Sequence, residues 1–299
     1  MVDSPLVTVI CLCHNHERFV IESLNSVASQ DYPNIEIIIV DNGSKDKSVS
    51  LISNWAKTHT VEIIINKTNL GLTRAFNEAL VIAKGIYIVD LSTDDVLLPS
   101  SILNRVKTFK FSKYKNLGVV FSNVQYIDEE GNHLKYLYPV DDQFKSITKP
   151  VTGNIYEAIL HSFFLSSPSM LIKKEAYIFL NGYDETLDYE DLDFWIRSSR
   201  VYDYDFTDNI LVKKREVSNS LSTHFYKRGG FNLGESTYRT CKKAHKLNRT
   251  RSEDFALLNR VLYEIRLALK NVDIQIFTKF YLLYIRVVIF MIFRKRLSD

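Results

Sequence analysis

The stretch Ile35-Glu36-Ile37-Ile38-Ile39-Val40-Asp41-Asn42-Gly43-Ser44 decides the fold. An apolar run broken by one glutamate stops at an acid, an amide, a glycine and a hydroxyl. Such a run, β-branched and bounded by turn formers, reads as a strand buried on both faces, the kind found in helix-covered parallel sheets. Upstream, residues 6–13 form a second β-branched run, and residues 17–29 show helical spacing at Phe19, Val20, Leu24, Val27 and Ala28. Downstream, a helix through Val49, Leu51, Ile52 and Trp55 leads to a strand at 61–65. Residues 71–83 are helical again and 86–89 form a fourth strand. This alternation predicts an α/β fold with a mostly parallel, doubly wound, Rossmann-like sheet.

In such sheets ligands lie beyond the carboxyl ends of the strands, where the strand order switches. Three polar clusters are predicted at that edge: Asp41, the loop at 69–74, and Asp94-Asp95 in VDLSTDDVLLP, residues 89–99. Adjacent carboxylates repel by about 4 kcal/mol at 4 Å and an effective dielectric of 20. They need positive charge or donors nearby, and their hard oxygens suit Mg²⁺ or Mn²⁺, which bridge to substrate phosphates. The structural alternative is that both acids cap a helix beginning near Pro99. Asp41 can accept the ring N–H of uracil or thymine, or the N1–H and amino group of guanine; its alternative is an Asx-turn. Gly71 permits close backbone approach ahead of a helix N-terminus, and Arg74 adds positive charge or pairs with a surface acid.

With 299 residues, 46% hydrophobic and 24% charged, the chain is long enough for a large α/β domain with an appendage. A net charge of +3 is too small to argue for a nucleic-acid partner. The basic residues concentrate late, with eleven Lys/Arg between Lys213 and Arg251 against Glu216 and Glu235. Such a block is a solvated face or a contact for anionic membrane or phosphate. Cys11, Cys13 and Cys241 form no disulfide framework, which fits a reducing cytoplasm, and the N-terminus carries no basic region of a secretory signal. After Asn123 the alternation weakens, with a turn at residues 128–132 between two strands; from Gly234 onward the pattern is helical.

The order VTVICLCHN…SVASQDYPNIEIIIVDNGSKD…NLGLTRAFNEAL…YIVDLSTDDVLLP…GYDETLDYEDLDFWIRSSR resembles the inverting glycosyltransferases of family 2, over roughly the first two-thirds of the chain. The resemblance implies a GT-A fold over residues 1–230, followed by a basic, amphipathic helical extension over 231–299. It implies a nucleotide-diphospho sugar donor, UDP-linked, and transfer to a saccharide or lipid-linked saccharide in bacterial surface polysaccharide or glycolipid assembly. By the same resemblance Asp41 binds the base, Asp94 the ribose, and Asn15 approaches the nucleotide beside Gly71 and Arg74. Asp95, last acid of an Asp-x-Asp-type element, holds Mn²⁺ or Mg²⁺, with His224 brought late towards the diphosphate and the metal. Many members have an acid where this chain has Ser92. Asp191 matches the catalytic base, accepting the acceptor hydroxyl's proton. Its structural alternative is an amphipathic helix with Leu192, Trp195 and Ile196 buried and Asp191, Asp193 and Arg197 solvated.

Within the enzyme class the competing reading is transfer to a polyprenyl phosphate, an acceptor that needs no base. From another class, the chain would be an inactive sugar-nucleotide-binding scaffold. Cys11-Leu12-Cys13-His14-Asn15-His16 has zinc-like composition, but the cysteines alternate in a strand without a second ligand pair. The run FTKFYLLYIRVVIFMIFRKR, residues 277–296, is apolar on a membrane scale yet interrupted by Lys279 and Arg286. It reads as an in-plane amphipathic helix on the inner face of the plasma membrane, or as a helix buried against a second subunit in a homo-oligomer.

Overall fold

The computed structural model describes residues 4–162, 164–217 and 233–297. Strand β1 (Val7–Cys13) leads through α1 (Val20–Ala28), β2 (Ile35–Asn42), α2 (Ser48–Trp55), β3 (Glu62–Asn66) and α3 (Leu72–Ile82) to β4 (Tyr87–Ser92). Then follow β5 (Val96–Leu97), α4 (Ser101–Phe111), β6 (Leu117–Ile127), β7 (His133–Tyr136), α5 (Tyr156–His161) and β8 (Leu171–Lys173). Helices α6 (Lys174–Phe179) and α7 (Asp191–Ser199) precede β9 (Asp203–Arg215), and α8 (Leu233–Leu247), α9 (Arg251–Lys270) and α10 (Ile274–Leu297) close the chain.

The sheet runs β3-β2-β1-β4-β8-β6-β9-β5, with β7 beside β6. Its first four strands are parallel, as the alternation predicts. The other half is mixed: β8 is antiparallel to both β4 and β6, β9 is parallel to β6, and β5 is antiparallel to β9. All of β1 is buried, as is β2 from Ile37 onward, whereas the edge strand β3 exposes Glu62 and Ile65. Helix α1 covers the sheet with Val20, Leu24 and Val27, one turn apart. Full burial of each such side chain contributes about 1.5–3 kcal/mol. Cys11 and Cys13 lie within this core, where burial pushes both thiols up.

The chain forms two compact units. The sheet unit comprises the described residues of 1–153, 165–185 and 202–217; the helical unit comprises those of 154–164, 186–201 and 218–299. The sequence places the division at 230/231, whereas the structure assigns α5 and α7 to the helical unit. Specific polar contacts hold them there. The Tyr156 hydroxyl, on α5, donates to Asn248 Oδ1 at 2.7 Å, and the Arg200 guanidinium stacks over the Tyr156 ring at 3.4 Å while pairing with Glu253 at 2.8 Å. Asp193 on α7, solvated in the amphipathic-helix alternative, is 1% exposed between Arg197 and Lys243, both at 2.6 Å. Two cations compensate the burial that a lone carboxylate would resist. Helix α9 starts at a capping box in which Glu253 N donates to Thr250 Oγ1 and Thr250 N to Glu253 Oε2, both at 3.2 Å.

Glu264 on α9 is nine-tenths buried, and desolvation pushes its carboxyl up to about 7, with Arg260 at 3.6 Å opposing the shift. A raised carboxyl pKa means that stability is fully present below the unfolded value and is lost as pH rises through the folded one. Thermal unfolding between pH 4.5 and 8 is therefore expected to show stability declining with pH, by up to about 3 kcal/mol. Glu264→Gln should flatten that decline.

Candidate active site

The four parallel strands end together. Their register aligns Cys13 with Asp41, Asn42 with Asn66, and Leu12 with Ser92, so the residues after each strand share one edge. Between β1 and β4 the strand order reverses, which opens the crevice in which α/β sheets hold ligands. Two contacts straddle that point: His16 Nδ1 lies 2.9 Å from Thr93 Oγ1, and His16 Nε2 lies 3.9 Å from Asp94 Oδ2.

Asp41 is fully buried at the end of β2. Its Oδ1 accepts from Ser44 N at 2.9 Å, so the turn reading is realised on one oxygen. Its Oδ2 is buried with no hydrogen-bond partner among the described residues. A buried acceptor left so costs about 1–3 kcal/mol, which a donor from a bound base would recover. Asn15, at φ 58°, links two strand ends: its N–H donates to Ser44 Oγ at 2.9 Å and its Oδ1 accepts from Lys45 N at 2.7 Å. Asn42 ties in the third, donating to Asn69 Oδ1 at 3.0 Å and Gly71 O at 3.2 Å and accepting from Leu70 N at 3.0 Å. Gly43 permits this approach: at φ 74°, an added Cβ would stand 2.4 Å from the Thr68 carbonyl carbon. Gly71 (φ 87°) is the residue before α3, and a Cβ there would meet no protein atom within 4 Å. Its requirement is therefore backbone conformation rather than room against the protein.

Asp94 and Asp95 do not cap α4. That helix starts at Ser101 with Ser100 before it, and β5 intervenes. Asp95 is 3% exposed and its Oδ1 accepts from Arg215 N at 2.9 Å. Burial, then the neighbouring Asp94 charge, raise its pKa well above the usual carboxylate range, against opposing contributions from Lys214 and Arg215. Among the described residues no Lys or Arg forms an ion pair with either carboxylate, in contrast to the doubly paired Asp193. The donor set of two hard carboxyl groups without a Lys or Arg ion pair fits a Mg²⁺ or Mn²⁺ ion, which uses one or two protein carboxylates together with waters and phosphate. No group of three His, Cys, Asp or Glu side chains is assembled for a metal among the described residues.

Arg215, at the end of β9, holds the acidic turn in place. Its side chain is 2% exposed. Nε donates to Asp94 O at 3.1 Å, the terminal nitrogens donate to Asp128 O, Glu129 O and Glu22 Oε2, and the guanidinium lies over the Phe19 ring at 4.7 Å. Sequence reasoning missed Arg215, Asn42 and the straddling role of His16. Arg215 lies 120 residues from Asp95 and carries no local signal. Asn42 and Gly43 had one, since they follow Asp41 directly at a strand end.

The structure therefore gathers Asn15, Asp41, Gly71, Asp94 and Asp95 on one edge. The Arg74 side chain is 57% exposed and pairs with Glu78 at 3.7 Å, the pairing with an acid that the sequence offered as its alternative. Asp191 belongs to the helical unit, as the first residue of α7, where an acid complements the helix dipole. His224 lies outside the described residues.

The sequence profile described as glycosyl transferase family 2 matches residues 8–178, more than half of the chain. The chain belongs to glycosyl transferase family 2. It is 32% identical over 218 residues to an uncharacterised glycosyltransferase of Methanocaldococcus jannaschii, covering 71% of each chain. To another of Haemophilus influenzae it is 30% identical over 231 residues, 75% of this chain and 69% of that one. It spans 64% of a Rickettsia typhi relative and only 36% of a longer Rickettsia felis one. Among solved structures, S. aureus TarS 1-349 in complex with UDP-GlcNAc aligns with a TM-score of 0.67 at 17% identity, covering 86% of this chain and 73% of that one. The mannosyltransferase PcManGT from Pyrobaculum calidifontis, in complex with GDP-Man and Mn²⁺, aligns at 0.59 and 16%, covering 90% and 76%. At such identities the likeness establishes the fold, the GT-A architecture of a mixed, mostly parallel sheet with C-terminal helices.

Within this family 2 glycosyltransferase, Arg215→Ala strands three backbone carbonyls, those of Asp94, Asp128 and Glu129, and should cost about 3 kcal/mol in urea unfolding. Arg215→Lys should recover little of it, because a single ammonium cannot reproduce the planar fork.

Proposed function

We propose that the chain transfers a glycosyl group from a nucleotide-diphospho sugar, with UDP as the carrier, to an acceptor hydroxyl with inversion at the anomeric carbon. The observation that supports this most directly is the Asp94-Asp95 pair at the switch point, held by Arg215 and approached by His16, yet with no Lys or Arg ion pair on either carboxylate among the described residues. Asp41 Oδ2 adds a buried acceptor suited to a ring N–H of uracil, or of guanine. TarS and PcManGT, which share the fold, were solved with UDP-GlcNAc and with GDP-Man and Mn²⁺, which supports a nucleotide sugar for this chain.

Asp95 and Asp94 would hold the divalent cation, with Asp94 also reaching the ribose. Bound there, the cation supplies Lewis-acid neutralisation of the departing diphosphate. Asp41 fixes the base and Asn15 holds the nucleotide-side loops together. Asp191 takes the proton of the acceptor hydroxyl while that oxygen bonds to the anomeric carbon and the carbon–oxygen bond to the diphosphate breaks. Attack from the face opposite the leaving group inverts the configuration. The acceptor is a saccharide or lipid-linked saccharide, used in surface polysaccharide or glycolipid assembly on the cytoplasmic side of the membrane.

A thermal-shift panel of UDP, GDP, ADP and CMP with and without Mn²⁺ tests donor and metal together, since stabilisation grows with ligand concentration over Kd. UDP with Mn²⁺ should give the largest shift, and Asp41→Asn should abolish the preference for it. Asp191→Asn should leave the shift intact and lower transfer by about 10²–10⁴-fold. Full turnover by that variant would remove Asp191 from the base role and favour an acceptor that is already ionised, such as a polyprenyl phosphate.

A further inference from the structure

Helix α10 has two apolar faces, and the helical unit uses one. Phe280, Leu283, Val287 and Met291 are buried. They recur every three or four residues and form the stripe that a core-facing helix needs. That stripe is docked on α8: the Tyr238 and Phe280 rings meet edge-on at 5.7 Å, Lys279 pairs with Glu235 at 2.5 Å, and Ile276 packs against Gly234. At about 100° per residue, Ile274, Leu282, Ile285, Ile289 and Ile292 fall on the opposite side. They are 74%, 59%, 38%, 48% and 54% exposed. Val272, in the turn before the helix, is 61% exposed and held at φ 56°, a left-handed conformation that β-branched residues avoid. A soluble helix would carry polar residues on that side. Residues 274–293 are long and apolar enough to cross a membrane by length and composition.

We infer that α10 lies in the plane of an anionic lipid surface, its outer face sunk into the acyl boundary and its inner face still docked on the helical unit. Two observations select this occupant. The first is charge: besides Lys279, which pairs with Glu235, α10 holds Arg286, Arg294, Lys295 and Arg296 and no acid. Acidic headgroups complement such a helix, and each basic side chain near them adds to binding. A second copy does not. In a two-fold contact the same surface meets itself, which brings cationic, acid-free helices together with nothing to neutralise them. The second is the docked stripe. A helix crossing the bilayer would take Glu235 and Lys279 into hydrocarbon with it, where charged groups are costly. Lying flat, the helix keeps that pair on the aqueous side. This inference rests on the helical unit alone and stands whether or not the proposed transfer reaction is correct.

The test is flotation of the full chain with phosphatidylcholine vesicles, with or without about a third phosphatidylglycerol, and with neither donor nor metal. The chain should float with the anionic vesicles, bind the neutral ones weakly, and lose binding as salt is raised. The double variant Ile285→Glu/Ile289→Glu alters exposed positions only, so its circular dichroism and unfolding temperature should match the parent. Its partition onto anionic vesicles should fall by roughly tenfold or more. Arg286→Ala should weaken binding to anionic vesicles and leave binding to neutral ones unchanged. A parent chain that stays in the aqueous fraction overturns the inference, as does a double variant that floats equally well. A parent dimer that the double variant converts to monomer, seen by light scattering without vesicles, also overturns it and makes this face a subunit contact.

Discussion

Two carboxylates are held side by side just after β4 with no lysine or arginine ion pair on either among the described residues, and the sheet unit is arranged around keeping them there. Asp95 is buried beside Asp94, and both burial and that neighbour oppose its ionisation. Left to itself, such a turn would open or swing a carboxylate into water. It is fastened instead through Arg215, whose backbone N–H meets Asp95 Oδ1 and whose Nε meets the Asp94 carbonyl. The guanidinium thus fixes the Asp94 backbone without pairing with either carboxylate. The structural ion pair at Asp193 differs, because there two cations sit on the carboxylate itself.

The same division recurs along the edge. At Asp41 one oxygen is spent on the Ser44 turn and the other is kept buried without a partner among the described residues. Asn42 and Asn15 carry the loop-to-loop bonds that hold neighbouring strand ends together. Neutral amides suit that work, because each both donates and accepts and adds no charge beside the acids. Arg74 has a surface pairing with Glu78, leaving Lys214 and Arg215 as the basic residues that act on Asp95.

The helical unit follows other constraints. Its early elements α5 and α7 are tied to α8 and α9 by Tyr156, Arg200 and Asp193, so Asp191 sits on an element whose neighbours lie late in the chain. On α10 the inward stripe is filled as in any packed helix, while the outward side exposes Ile274, Leu282, Ile285, Ile289 and Ile292. A helix so made needs a second apolar environment.

Much of this was legible in the chain itself. Long β-branched runs ending in Asp41 and near Asp94 fixed the parallel strands, because a polar residue inside such a strand has no water to reach and must lie at its end. The same reasoning named Asp41, the loop at 69–74 and Asp94-Asp95 as neighbours on one edge, and the family resemblance added Asn15. Local pattern could not show that residues 154–164 and 186–201 join the C-terminal helices, nor that Asp193 is buried, since an acid on an amphipathic helix has the same spacing whether water or two cations face it. Nor could it find Arg215, whose partners are distant in sequence. Periodicity determines which elements form and which residues end them; the partner of a buried charge is decided only when the chain folds and distant segments meet.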